Sequence, residues 1–582
     1  MNNSFNSELD GSTSRYPVLW ALLLSGLCLG YFCLLDNVIF SSARFSTIFR
    51  FLLVEYDRQY AWLAAAACIF AALLKEPRSI LEIVDFLGRR PLAIALTAMI
   101  ALAVCSIFVY HNRALSMDEY APVFQSKIFA AWRISARLPP QLVDWLVVPG
   151  FNERFLVASS ATGEVIEAYW PGFALLLAPF QMLGIGWLCN PCVAAISLYL
   201  IYRIVYDISR DRRAAGFALL FAIASGAFVA NAISFYSMSA HLMANLLFAW
   251  LLLKPSRIRA FAAGLTGSLA LVLHNPYPHV LFALPWIIAL GSSREDRKHF
   301  PYLVLGYLPL SLALGVGWLI VRSSIHSSLN VIPTFSSTVS GVFRWPDAAA
   351  VNMRVAALVK MWVWAVPGLF IFAAVGFVRH RADRSVRLLL QSATLTFVGY
   401  MFVSFDQGHG WGYRYFHSAW GVIPVLAGLA MTVPKQQMGR LTSFAGVAAI
   451  LSLIIIVPYQ LSRIDQFISS NLAQLPSVKR PGNNVFFISP RRGFYLADLV
   501  QMDPLLREPD LFFASHGSAL DERFIHRHWP GAVNIYHGDT IQQWYLGDID
   551  QRHVDPAAGN VTRFIFETET ESPSNAVVLF DP

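Results

Sequence analysis

Long apolar runs alternate with short polar connections along most of the chain. A helix needs about 20 apolar residues to cross a hydrocarbon core of roughly 30 Å. Runs near 16–35, 59–74, 91–110, 187–206, 214–231, 238–253 and 260–274 predict seven such helices. Runs near 277–291, 301–322, 356–378, 388–404, 418–433 and 442–460 bring the predicted number to thirteen. The first run follows a polar Met1–Ser14 and ends in Leu34-Leu35-Asp36. Without a small-residue cleavage site there, it reads as a retained helix and not a removable signal. From Tyr169-Trp170-Pro171-Gly172 to Trp187 the apolar stretch is broken by Pro179 and glycines, and reads as a re-entrant or tilted element.

Two regions break the pattern. In 111–168, Phe124, Ile128, Phe129 and Trp132 share one helical face and Gln125, Ser126, Lys127 and Arg133 another. That amphipathic helix is expected to lie in the membrane interface, apolar side toward lipid. Beyond Leu461 the long apolar runs stop. The segments 485–489, 511–514 and 532–536 predict short buried strands, with helical stretches near 494–502 and 518–527, which makes the tail a small α/β unit. No glycine-rich loop joins a strand to a helix there, so nucleotide binding is unsupported.

Composition sharpens this picture. Charged residues are only 14% of the 582 and apolar ones 56%, with a mean hydropathy of +0.51. A soluble domain is about a quarter charged, so a water-exposed enzyme and a nucleic-acid-wrapping protein are both excluded. The net charge of +8 splits into +13 over residues 1–460 and −5 over 461–582. Twenty Lys and Arg fall in one alternating set of short loops, among them Lys75, Arg78, Arg89, Arg203, Arg257, Arg294, Arg384, Lys435 and Arg440. Basic short loops stay cytoplasmic. The loops 36–58, 111–168, 323–355 and 405–417, and after thirteen crossings the tail, are therefore expected outside. The six cysteines all precede the tail; Cys189-Asn-Pro-Cys192 is a lone CxxC, which favours packing or an incidental bridge over a zinc site.

The candidate chemistry lies at the outer ends of the spans. Asp118-Glu119 follows a span directly and precedes the amphipathic helix. Two acids there suit a helix N-terminus; equally, a transferase using a lipid-phosphate sugar needs one carboxylate to take a hydroxyl proton and cationic donors for the departing phosphate. Candidate donors are Arg322, Lys360 and Arg414, the last in the loop Gly408-His-Gly-Trp-Gly-Tyr-Arg-Tyr-Phe-His417. Lys360 sits about a turn inside an apolar helix, where an ammonium either snorkels or meets an anion. His241 and His274 are second-tier lining candidates. Zinc proteolysis, ATP hydrolysis and serine-elbow acyl transfer lack their motifs.

These residues resemble a family. Met117-Asp-Glu-Tyr-Ala-Pro-Val-Phe-Gln-Ser-Lys127 resembles the first outer loop of GT-C superfamily glycosyltransferases. Tyr169-Trp-Pro-Gly172, Tyr236-Ser-Met-Ser-Ala-His241, His274-Asn-Pro276 and Gly412-Tyr-Arg-Tyr415 resemble, in order, segments of bacterial members such as protein O-mannosyltransferases and lipid A aminoarabinose transferases. The resemblance covers roughly 91–460. Two additional spans precede the acid loop, which relatives usually have after the first span, and Asn275 stands where many have an arginine.

The resemblance implies a GT-C-like, all-α polytopic membrane protein with a small extracytoplasmic α/β domain at its C-terminus. Residues 1–90 would carry two extra transmembrane helices, 91–460 the catalytic body with outer loop 111–168, and 461–582 the soluble domain. Implied too is an inverting glycosyltransferase of a multi-pass bacterial inner membrane. It would take sugar from a polyprenyl-phosphate donor to a lipid, glycan or protein acceptor, with a divalent metal as an open requirement and no nucleic acid. Asp118 would be the base with Glu119 beside it. Lys360, Arg414, Tyr415, His417, Arg322, Tyr169, His241 and His274 would line the donor site. The alternatives are a polysaccharide polymerase or ligase and, with no internal repeat to support it, a transporter.

Overall fold

A computed structural model describes residues 15–34, 48, 51–74, 78–148, 151–325, 343–403, 408–432, 439–473, 475, 484–488, 497–508, 510–528 and 534–537. Met1–Ser14, Lys75, Lys435 and much of the 36–58 and 323–355 loops lie outside the described residues. The chain opens with α1 (Arg15–Leu34), α2 (Arg58–Leu73), α3 (Arg78–Arg89) and α4 (Pro91–Phe108). After α5 (Met117–Ala130), the strands β1 (Ala136–Arg137), β2 (Leu156–Ala158) and β3 (Glu164–Glu167) form an antiparallel sheet in the order β1-β3-β2.

The helical body continues with α6 (Gly172–Met182), α7 (Cys189–Ser209), α8 (Arg212–Ile223), α9 (Gly226–Ile233), α10 (Met238–Leu252), α11 (Arg257–Leu271) and α12 (Tyr277–Ser292). Then come α13 (Phe300–Leu310), which runs through a π-turn into α14 (Gly317–Ile325), α15 (Ala348–Val363), α16 (Leu369–His380) and α17 (Arg384–Gly399). A two-residue hairpin, β4 (His409–Gly410) and β5 (Gly412–Tyr413), leads into α18 (Arg414–Trp420), α19 (Val422–Leu429), α20 (Arg440–Leu451) and α21 (Val457–Leu472).

Among the described residues, five helices are long and apolar enough to cross a membrane: 16–34, 91–108, 186–209, 297–325 and 440–472. A sixth is added if α8 and α9, bent by 62°, form one broken span. Thirteen crossings were expected, and several of the runs behind that number fold into shorter apolar helices, such as α10, α12 and α16. The run 356–378 is interrupted at Trp364–Gly368, where Pro367 lacks a backbone N–H and Gly368 takes φ +85°. This break and the α8–α9 break satisfy each other. The Ala227 amide donates to the Trp364 carbonyl at 2.9 Å, and the Val366 amide to Ser225 Oγ at 3.2 Å. Non-helical backbone at membrane depth persists where protein covers it in this way. At about 1.5 Å per residue, the 11 residues of α6 are too short to cross, and a turn at Gly184 (φ +71°) returns the chain toward α7. The last apolar helix, expected to end at 460, continues to Leu472.

Exposed apolar stripes mark the lipid-facing helix faces, as on α4, where Leu92, Leu96, Ile100, Val104 and Phe108 recur every four residues. Inside, small residues bring helices close: a Cβ on Gly264 would stand 2.1 Å from the Leu303 carbonyl oxygen, so α11 and α13 touch through backbone. All six cysteines are free, including Cys189 and Cys192.

At the C-terminal end β6 (Asn484–Ile488) pairs in parallel with β7 (Asp510–Ala514) and β8 (Asn534–His537), in the order β7-β6-β8, with α22 (Ser518–His528) between β7 and β8. This sheet corrects the expectation for the amphipathic helix α5. Phe124 and Ile128 are fully buried, in one apolar cluster with Trp145, Phe487 and Phe513. Phe124 and Ile128 are thus covered by protein and not by lipid headgroups, and Phe129 packs on Trp318, whereas Trp132, just past the helix, is 87% exposed.

Candidate active site

The site is built around the first turn of α5. Ser116 precedes the helix, and the Glu119 carboxylate reaches back to accept from the amides of Ser116 (3.3 Å) and Leu115 (2.9 Å). This is the returning half of a capping box. The other Glu119 oxygen accepts from the Phe235 amide at 2.9 Å, which ties the loop to the α9–α10 junction. Burial raises the Glu119 carboxyl from 4.5 to about 7, against the lowering pull of those amides, Tyr110 and Arg414. Glu119 is fully buried. It was expected beside Asp118, assisting acceptor or substrate positioning; its carboxylate is instead taken up by three backbone amides.

With Glu119 capping the helix, Asp118 is left for other work. Its carboxylate is 20% exposed and held at both oxygens: Tyr169 Oη donates at 2.5 Å, and Arg414 Nη1 lies 3.4 Å away. Capping, the bland account of this acid, is not what its side chain does. Tyr169 is fixed in turn. Trp318 Nε1 donates to its carbonyl at 2.7 Å, and its ring packs 3.8 Å from that of His274. Arg414 opens α18 directly after the β4–β5 hairpin, whose Gly412 at φ +73° makes the turn. Its guanidinium lies 4.2 Å over the ring of Tyr236, whose hydroxyl meets Ser116 Oγ at 2.9 Å. Tyr415 is next in sequence and stacks on Tyr400 at 4.6 Å. Four distant segments thus converge on one carboxylate: the α4–α5 loop, the β3–α6 connection, the α9–α10 junction and the hairpin before α18.

Other expected residues are placed elsewhere. Lys360 is fully buried and pairs with Asp57, which also accepts from Trp364 Nε1 at 2.7 Å. Its ammonium is engaged with that acid inside the bundle. Arg322 donates to the Ala168 carbonyl at 3.1 Å and lies 3.7 Å from the Glu153 carboxylate, so it buttresses the strand leading to Tyr169. His417 is buried with its ring parallel to Trp420, and His241 is buried within α10. Among the described residues, no group of three or more His, Cys, Asp or Glu side chains is gathered to hold a metal ion.

The structure adds residues that the sequence did not single out. Asp498 accepts from the Met117 amide at 3.0 Å, and burial first, then the charges of Asp118 and Glu119, raise its carboxyl to about 8. Tyr120 Oη bonds to both the amide and the carbonyl of Met502 at 3.0 Å. The segment before β7 therefore grips the start of α5. No spacing links positions 117 and 498, so nothing local could have signalled it. Asp57 had a signal: it is an acid opening one apolar helix while Lys360 sits in another, and such charges pair.

No family model and no curated protein matches the chain. Among solved structures, the chain is similar to ArnT from Cupriavidus metallidurans bound to undecaprenyl phosphate, at 13% identity and a TM-score of 0.49, over 76% of this chain and 89% of that one. The apo state of ArnT gives 13% and 0.46 over the same shares. The archaeal oligosaccharyltransferase AglB from Archaeoglobus fulgidus, in complex with an inhibitory peptide and a dolichol-phosphate, gives 12% and 0.40, over 72% of this chain and 64% of that one. ArnT and AglB are GT-C superfamily membrane glycosyltransferases.

Proposed function

We propose that the chain is an inverting glycosyltransferase that moves a sugar from a polyprenyl-phosphate donor to a hydroxyl of a lipid, glycan or protein acceptor at the outer face of the membrane. One observation carries this reading: the Asp118 carboxylate, partly exposed, is oriented by Tyr169 and shares a contact with the buried guanidinium of Arg414. Asp118 accepts the proton of the acceptor hydroxyl as its oxygen bonds the anomeric carbon. The bond from that carbon to the phosphate oxygen breaks on the opposite face, which inverts the centre. The departing polyprenyl phosphate carries the growing negative charge. The planar fork of Arg414 suits a phosphate, and its aromatic bed of Tyr236 restricts its motion. Tyr415 and Tyr400 offer a stacked aromatic wall for a sugar ring. The leaving phosphate is a weak base, so no second carboxyl has to act as an acid. That matches a site in which Glu119 is turned inward.

The test is Asp118→Asn in cells, with mass spectrometry of envelope lipids, glycans and glycoproteins. A positioned base contributes roughly 10²–10⁴-fold. The sugar mass increment is expected to fall by that factor while the protein stays folded and membrane-inserted; undiminished product removes Asp118 as the base.

A further inference from the structure

A cavity of about 320 Å³ lies behind α5, at the same end of the bundle as Asp118. Asp118, Tyr169 and Arg414 do not line it; Tyr120, Val123 and Lys127 do, on the other side of the helix. The remaining walls are the turn after α4, the α6–α7 turn, and the C-terminal segment around Gln501 and Glu508.

Its chemistry is polar and mixed in charge. Arg113 lines it with a buried Nε that has no hydrogen-bond partner among the described residues. Lys127 Nζ lies 3.6 Å from the Glu508 carboxylate, which is 58% exposed. The amide side chains of Asn112, Gln181 and Gln501 complete the polar lining. His111 and Asn112 both take left-handed backbone, at φ 55° and 49°, a conformation costly for non-glycine residues.

Exposed apolar side chains stand close in sequence to two of its walls. Met182 and Leu183, beside Gln181 at the α6–α7 turn, are 53% and 73% exposed. The lipid-facing stripe of α4 ends at Phe108, 71% exposed, a few residues before Asn112 and Arg113. A polar, cation-bearing cavity thus has exposed apolar side chains close in sequence to two of its walls, an arrangement that suits an amphipathic membrane lipid.

We propose that this cavity holds the headgroup of a glycerophospholipid, with the phosphate on Arg113, the polar headgroup among the amides and Glu508, and the acyl chains along Met182, Leu183 and α4. A buried N–H left without an acceptor is costly, and an oxygen of a lipid phosphate would accept from the Arg113 Nε. The carboxylate of Glu508 favours a headgroup that carries an amine, such as phosphatidylethanolamine. The bound lipid would brace α5 from the side opposite its catalytic acid.

Native mass spectrometry of the full chain released from nanodiscs of phosphatidylethanolamine and phosphatidylglycerol tests this. Wild type is expected to retain one phospholipid, preferring phosphatidylethanolamine. Arg113→Gln and the cavity-filling Val123→Phe should each retain about tenfold less, and Asp118→Asn should retain it like wild type, which separates this proposal from the catalytic one. Should Arg113→Gln fail to fold, Val123→Phe decides alone. Undiminished retention in the folded variants overturns the proposal. So does glycerol 3-phosphate binding as tightly as the lipid, which would make this a site for a soluble phosphate.

Discussion

Two acid–base pairs cross the helical body, and they differ in what surrounds them. Asp57 and Lys360 are 1% and 0% exposed, with Trp364 as a third partner. Asp118 and Arg414 are 20% and 6% exposed, on a loop helix and a hairpin, with tyrosines around them. Both join an early segment to one some 300 residues later. The first is sealed, so neither charge can meet a ligand, and its role is to lock α2 against α15. The second opens on one side, so its carboxylate can still take a proton.

Breaking the sealed pair has the largest expected effect. Removing one partner of a buried ion pair costs about 3–5 kcal/mol, so Lys360→Met is expected to lower the thermal midpoint in detergent sharply. Replacing both partners, as Asp57→Leu with Lys360→Met, should recover most of that loss. If the single variant melts like wild type, the pair is not the lock described here. The open pair should respond differently. Arg414→Gln is expected to lower the melting point by less than Lys360→Met does, since Asp118 keeps access to water, and to cut transfer by roughly 10²–10³-fold, the cost of losing one donor to developing charge. Equal loss of stability in both variants would erase the contrast.

Tyr169→Phe probes the same open pair more gently. It keeps the ring against His274 and removes one hydrogen bond to a charged group, worth about 1.5–3 kcal/mol. A fall in turnover of about tenfold or more is expected, with folding intact. The last prediction concerns pH. The folded chain holds the Glu119 proton up to about 7, against 4.5 ordinarily, and the Asp498 proton up to about 8, against 3.8. Between about pH 4 and 8 the unfolded chain has released protons that the folded chain retains. Stability should therefore be greatest at the acid end and decline as pH rises, levelling above pH 8. Melting midpoints across that range should fall by several degrees in wild type and by less in Glu119→Gln and Asp498→Asn; parallel curves would dismiss the assignment.

Much of the helical content was legible because burying apolar runs in lipid is a local requirement. The runs at 91–110 and 187–206 correspond to α4 and α7 within a few residues. The apolar strings Val485–Ile488 and Leu511–Ala514 are likewise strands. The run 356–378 misled because hydropathy does not register that Pro367-Gly368 can stop a helix when a second broken helix supplies the missing backbone partners. For the site, Asp118 and Arg414 could be singled out by residue type and place, and the pairing of Lys360 with Asp57 left a signal in two charges on apolar helices, whereas the inward turn of Glu119 left none. Residue type and spacing state that a carboxylate exists, not which amides it will meet.

By itself the sequence determined that this chain lives in a bilayer and which acids and bases stand near the ends of its helices, since transfer free energy and charge placement act on each segment separately. Only the tertiary structure decided which charge neutralises which, what covers the apolar face of α5, and which of two adjacent acids faces outward. Those outcomes depend on contacts between segments hundreds of residues apart, whose desolvation and hydrogen bonding are settled jointly when the helices pack.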